Sequence, residues 1–292
     1  MPRLALLIFA LLAGLSAEGL ACGSSSPCLI KDGRYLVRPP AGWDGASRLP
    51  MIVHFPGYQM TADDMMHDKE ALAVFDRLGI LVVAAEARGL VWNLPAFGAP
   101  RQRNEFAYIN AVLDDVEKRF PVDTKRVLAS GFSLGGSMVW YMACEGPRRF
   151  TAFAAVSGAF WVPEPQTCRN GPVHLMHIHG LADDTVPVKG RFIRPGLHQG
   201  NAYRSLDTLR RVNGCTIAAG RDDRVRMSGG PEGVNCRTDT ACSSGHSLKA
   251  CFHDGGHYIS GSWYQDAWDF LENALRTWPG GTSPDASGAA PG

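Results

Sequence analysis

The five residues Gly131-Phe132-Ser133-Leu134-Gly135 constrain this chain more than any others. A Gly-x-Ser-x-Gly run suits a sharp turn from a strand into a helix, where neighbouring backbone comes so close that only glycine fits on either side of the serine. Alone the pentapeptide is weak, since 33 of the 292 residues are glycine. Its setting strengthens it. Residues 126–130 read as a short buried strand, and residues 135–144, with Met138, Val139, Tyr141 and Met142, read as a buried helix. Such a turn would lift the Ser133 hydroxyl above a sheet, at a helix N-terminus that favours developing negative charge. The competing reading is a glycine-rich turn opening an ordinary helix.

The surrounding pattern agrees with the first reading. Short runs rich in Val and Ile at 51–55 and 80–85, bounded by Gly or Pro, predict strands, as do 153–156 and 173–179. Residues 104–120 carry apolar side chains at 106, 109, 112, 113, 116 and 120 and stop at Pro121, which predicts a helix. Residues 206–212 and 263–278 predict two more. Strands alternating with helices define an α/β chain with a mostly parallel sheet covered on both faces.

A serine hydroxyl attacks only when a base takes its proton, and the base needs an acid to orient it. On an α/β sheet with such a turn, these follow as Ser, then Asp or Glu, then His. Asp183 and Asp184 lie in His179-Gly180-Leu181-Ala182-Asp183-Asp184, just past a predicted strand, and spacing does not choose between them. Gly255-Gly256-His257 comes later, with His253 and His246 as nearby competitors. His54, His174, His177 and His198 read as packing or solvated histidines.

The ends and the cysteines bound the rest. Residues 1–21 have a basic start, an uncharged apolar run and the small-x-small sequence Gly19-Leu20-Ala21, which predicts a cleaved signal peptide. Two alternatives are a membrane anchor and a lipid on Cys22. Release is preferred, because lipidation would leave seven other cysteines, an odd number for an oxidising compartment. Residues 22–278 are expected to form one catalytic domain, and 279–292, rich in Gly, Pro, Ser and Ala, a disordered tail. The eight cysteines read as structural disulfides, with at least one joining Cys215 to the segment 236–251. Neither a zinc site nor any other metal or organic cofactor is expected, since no Cys-x-x-Cys pair exists. Lys and Arg number 29 against 28 Asp and Glu, with no basic stripe, which excludes an electrostatic footprint for nucleic acid.

These motifs resemble a family of secreted esterases with the α/β-hydrolase fold that includes polyhydroxybutyrate depolymerases, feruloyl esterases and acetylxylan esterases. The resemblance runs from about Tyr35 to Trp278. It rests on Phe55-Pro56-Gly57-Tyr58-Gln59, on Gly131 to Met138, on His179-Gly180 with Asp183 and Val186-Pro187, on Asn213-Gly214-Cys215 and on Gly255-Gly256-His257. It implies Ser133 as nucleophile, Asp183 as acid and His257 as base. It also implies an oxyanion hole from the backbone N–H groups of Leu134 and Gly57, with Tyr58 as second choice to Gly57, since Pro56 has no N–H to give. The chain departs from the family after His257, where Tyr258-Ile259-Ser260 stands in place of x-Trp-Pro-Gly.

The expected function is hydrolysis of carboxylic esters, outside the cytoplasm or in a periplasm, on feruloyl or acetyl esters of polysaccharide ahead of polyesters. The rivals are a serine peptidase and a non-catalytic exported binding protein. Trp92, Trp161 and Trp263 are candidates for lining a substrate groove. The sequence leaves the oligomeric state open.

Overall fold

A computed structural model describes residues 22–98, 103–216, 234–239 and 241–277. The expected leader 1–21 and tail 279–292 lie outside the described residues. In chain order the elements are β1 (Cys28–Ile30), β2 (Gly33–Arg38), β3 (Leu49–Phe55), α1 (Ala62–His67), α2 (Lys69–Leu78), β4 (Leu81–Ala85), α3 (Glu105–Arg119), β5 (Val122–Phe132) and α4 (Leu134–Glu145). There follow β6 (Ala152–Val156), β7 (Leu175–Gly180), β8 (Arg191–Arg194), β9 (Leu197–Gln199), α5 (Ala202–Asn213), β10 (Asn235–Asp239), β11 (Leu248–His253) and α6 (Trp263–Thr277).

Nine strands make one sheet in the order β1-β2-β4-β3-β5-β6-β7-β11-β10. The middle run from β4 to β11 is parallel throughout. The pairs at both edges are antiparallel. A parallel centre must be covered on both faces, and alternate residues of each strand show how. In β4, Leu81, Val83 and Ala85 join the core containing α3, α4 and α5. Val82 and Ala84 face the other core, with α1, α2 and α6. Burial on both faces explains why these strands read as unbroken apolar runs in the sequence.

Local signals fix the helix ends. Asn104 caps α3 by accepting from the Ala107 N–H, and Phe120 ends it ahead of Pro121. Asp68 caps α2, and Gly79 closes it in the left-handed conformation. All eight cysteines are paired, as Cys22–Cys28, Cys144–Cys168, Cys215–Cys242 and Cys236–Cys251. The expected link from Cys215 into 236–251 is present, and the sulfur of Cys22 is engaged with Cys28 rather than free for a lipid. Among the described residues no helix is long and apolar enough to cross a membrane.

Candidate active site

β5 enters the site at Phe132 and α4 leaves it at Leu134, so Ser133 alone makes the turn. Its φ of 57° and ψ of −121° lie outside the ordinary regions for an L-residue, a strain of order 1–3 kcal/mol. The surrounding structure holds it there: Ser133 N–H donates to the Val156 carbonyl at 2.9 Å. The flanking glycines are required by contact. A Cβ on Gly135 would lie 1.9 Å from the Phe55 carbonyl oxygen, and one on Gly131 would lie 2.4 Å from that of Gly135.

The Ser133 hydroxyl lies 2.9 Å from His257 Nε2, and His257 Nδ1 lies 2.7 Å from Asp183 Oδ2. Each group follows the C-terminal end of a strand in the parallel run: β5 for Ser133, β7 for Asp183 and β11 for His257. That edge is where open α/β sheets build their sites. Asp183 is 4% exposed, whereas Asp184 points to solvent and its carbonyl accepts from Arg191. Asp183 Oδ1 also accepts from the backbone N–H groups of Thr185 and Val186, at 3.0 and 2.7 Å. Burial pushes the Asp183 carboxyl up, but its hydrogen bonds to His179, His257 and Val186 outweigh that and hold it well below the usual carboxylate range.

A pair of histidines supports this carboxylate: His179, which sequence reading took only as part of the His179-Gly180 motif, and His177, which it read as a packing or solvated histidine. His179 Nε2 lies 2.7 Å from the Val186 carbonyl and 3.4 Å from Asp183 Oδ2. A carbonyl only accepts, so the proton sits on Nε2 and His179 Nδ1 is free to accept from His177 Nε2 at 3.1 Å. Burial, reinforced by the neighbouring His179, pushes the His177 imidazole well below its ordinary range, so it stays neutral. The competitors to His257 are elsewhere. His253 is fully buried, accepts from the Gly255 N–H and packs on Tyr258 and Trp263, under the loop that carries His257. His246 stacks on His174, on the strand β7 flank remote from Ser133.

Gly57 and Leu134, the expected oxyanion donors, flank the serine. Leu134 is the first residue of α4, and Gly57 approaches so closely that a Cβ there would lie 3.3 Å from Ser133 Cβ. Trp92 is not a groove residue. It is buried, donates from Nε1 to the Pro56 carbonyl at 2.8 Å and so braces the loop holding Gly57. Trp263 is likewise core. Trp161 does line the site, paired edge-on with Phe97 at 4.9 Å. Both border a cavity of about 910 Å³ that Ser133 also lines, with residues of β8 and β9 forming part of its wall. Sequence reading missed this hairpin. No group of His, Cys, Asp and Glu among the described residues could hold a metal ion.

This topology, with its glycine-flanked serine turn between strand and helix, defines an α/β-hydrolase. Residues 35–189, just over half of the chain, match the model of the Esterase family, and the chain belongs to that family. It is a carboxylic ester hydrolase. Among curated proteins it is similar to feruloyl esterase C of Emericella nidulans, with 26% identity over 78% of this chain and 77% of that one. It also resembles the bifunctional acetylxylan esterase/xylanase of Neocallimastix patriciarum, with 27% identity over 62% of this chain and 25% of the relative. Among solved structures, the acetyl xylan esterase of Aspergillus awamori shares the fold with a TM-score of 0.59 at 14% identity, covering 82% and 94% of the two chains.

Proposed function

We propose that Ser133, His257 and Asp183 are the catalytic triad of an exported esterase working through an acyl-enzyme. The observation that carries this reading is the unbroken hydrogen-bond chain from Ser133 Oγ through both nitrogens of His257 to Asp183. His257 Nε2 takes the serine proton as Oγ attacks the ester carbonyl. Asp183, kept ionised, holds the proton on Nδ1 and stabilises the imidazolium. The N–H groups of Gly57 and Leu134 bind the oxyanion, the second at the positive end of α4. His257 then protonates the leaving alcohol, and water repeats the sequence to release the acid.

The substrates we infer are feruloyl and acetyl esters of polysaccharide, the ester free or on a polymer. Support comes from the edge-on Phe97–Trp161 pair, which lines the cavity with Ser133 and offers aromatic surface to an aromatic acyl group, and from the similar feruloyl and acetylxylan esterases. Four disulfides support folding in an oxidising compartment, in keeping with a leader over 1–21, a catalytic domain over 22–278 and a tail over 279–292.

The test is covalent labelling by a fluorophosphonate together with hydrolysis of p-nitrophenyl acetate, methyl ferulate, acetylated xylan and a polyester film. Wild type should label at Ser133 and cleave the first three, and folded Ser133→Ala should do neither. Activity of Ser133→Ala within tenfold of wild type would sink the mechanism. Rapid clearing of polyester with inert ferulate would move the substrate class to polyesters.

A further inference from the structure

The β8–β9 hairpin lines the same cavity as Ser133, and its chemistry differs from the rest of the site. Among the described residues lining the cavity, those carrying full charge are Arg191 and Arg194, and none is acidic. The remainder near them is apolar or neutral: Val91, Phe97, Trp161, Ile193 and Leu197. Two guanidinium groups lining one cavity without a carboxylate among its described lining residues form a one-signed field, which water reaches because β8 is exposed.

The hairpin's backbone puts both arginines on this side. In a regular strand Phe192 and Arg194 would share one face and Arg191 and Ile193 the other. The β8–β9 pairing instead shifts register between Phe192 and Arg194, and Arg191, Ile193 and Arg194 all line the cavity. Phe192 is left outside, against His198. An irregularity of this kind re-aims a side chain. Arg191 is held in place, its Nε donating to Gln199 Oε1 at 3.1 Å and one terminal nitrogen donating to the Asp184 carbonyl at 3.0 Å. The Asp184 partner is a neutral carbonyl, so the charge of Arg191 is oriented but not cancelled. The Arg194 side chain makes no ion pair or hydrogen bond with any of the described residues, its backbone pairing with Leu197.

We propose that Arg191 and Arg194 form an anion subsite, and that the preferred ester carries a carboxylate on the part of the molecule lying beneath the hairpin. A uronate-bearing saccharide ester and a monoester of a dicarboxylic acid both have that chemistry. Guanidinium is the side chain suited to a carboxylate, because its planar fork gives two parallel hydrogen bonds. The proposal rests on Ser133 being the reacting serine.

The test compares matched pairs of esters that differ only in charge. On the acyl side these are mono-p-nitrophenyl adipate and its neutral methyl ester. On the alcohol side they are m-acetoxybenzoate and methyl m-acetoxybenzoate. The readout is the ratio of kcat/KM, anionic over neutral, within each protein, so a variant's overall activity does not enter. Wild type should favour the anion by about tenfold in at least one pair, the size of one charge-assisted hydrogen bond partly screened by water. That ratio should fall toward one in the double variant Arg191→Gln/Arg194→Gln, and added salt should reduce it in wild type. Single Arg194→Gln, far from any packed core, guards against misfolding of the double variant and should lower the ratio by itself. Ratios below about twofold in both pairs, or a preference that survives the double variant, would overturn the subsite. Loss of hydrolysis of every ester, neutral ones included, would instead count against the proposed triad.

Discussion

Asp183 and His257 lie 74 residues apart in the chain and meet through one 2.7 Å hydrogen bond, with the carboxylate side chain shut off from solvent. The carboxylate therefore faces the imidazole unscreened, and its charge decides which ring nitrogen keeps the proton. Asp183→Asn preserves size and burial but presents an amide that can donate to Nδ1. That favours the tautomer with its proton directed at Ser133, the wrong one for a base. The expected loss in kcat is roughly ten-thousandfold, with little change in unfolding midpoint. Steady-state kinetics beside a denaturation curve checks both, and a loss under tenfold would remove Asp183 from its assigned role.

Gly135 is the tightest point of the turn. A methyl group there meets the Phe55 and Pro56 carbonyl oxygens at 1.9 and 2.5 Å, both of them backbone atoms. Gly135→Ala should thus cost about 3 kcal/mol and displace Ser133 enough to abolish most activity. Urea unfolding and kcat/KM read the two effects. A variant as stable and active as wild type would mean that the strand and helix can separate here.

The Cys236–Cys251 bridge joins β10 to β11, and β11 leads directly to the loop carrying His257. It closes a separation of 15 residues, for which chain entropy predicts about 3 kcal/mol of stabilisation. Cys236→Ala/Cys251→Ala should unfold earlier by that amount and lose activity before it loses its overall fold. Thiol titration of the unfolded, unreduced wild type should find no free cysteine over the described segment, and four or more free thiols would contradict the pairing.

Acid should destabilise the fold through its buried neutral histidines. Burial lowers His54 to about 3 and His174 to about 4. An unfolded histidine binds its proton near pH 6.5, so between that value and the folded one the unfolded chain holds more protons. Their contribution is complete above about pH 6.5 and is lost as the pH falls toward 3–4. From pH 6.5 to 5 each such group costs roughly 2 kcal/mol. Asp183, depressed as a carboxylate, adds a loss in the same direction only below its ordinary value near 3.8. His54→Gln should therefore be less stable than wild type at pH 7 and close that gap by pH 5. Parallel stability curves for the two proteins would show that His54 does not titrate in this way.

The centre of this fold was legible because it is buried. β3, β4, β6 and β7 are buried on both faces, and α3 carries its cap and its stop in the residues at its ends. The edge strands were not. β1 has three residues, and β10 reads Asn-Cys-Arg-Thr-Asp, polar because only one side pairs. β8 is exposed along its whole length and held by its partner strand rather than by a core, so periodicity says nothing about it. Ser133 and His257 stood out through their glycines. Spacing could not separate Asp183 from Asp184, and burial does. The His177–His179 support was invisible, since alternate histidines in an apolar run look like strand filler until their partners are known.

The β8–β9 hairpin bonds to itself, and among the described residues its hydrogen bonds to the remaining chain are the Val162–His198 bridge and the Arg191 contact to Asp184, with Leu197 packed on the core. None of its strand pairing is shared with the nine-stranded sheet. Residues 191–199 can accordingly be recharged, lengthened or exchanged while β5, β7 and β11 keep their register. In a lineage built on this plan, what the enzyme accepts and how fast it cuts can drift independently, each at its own evolutionary tempo.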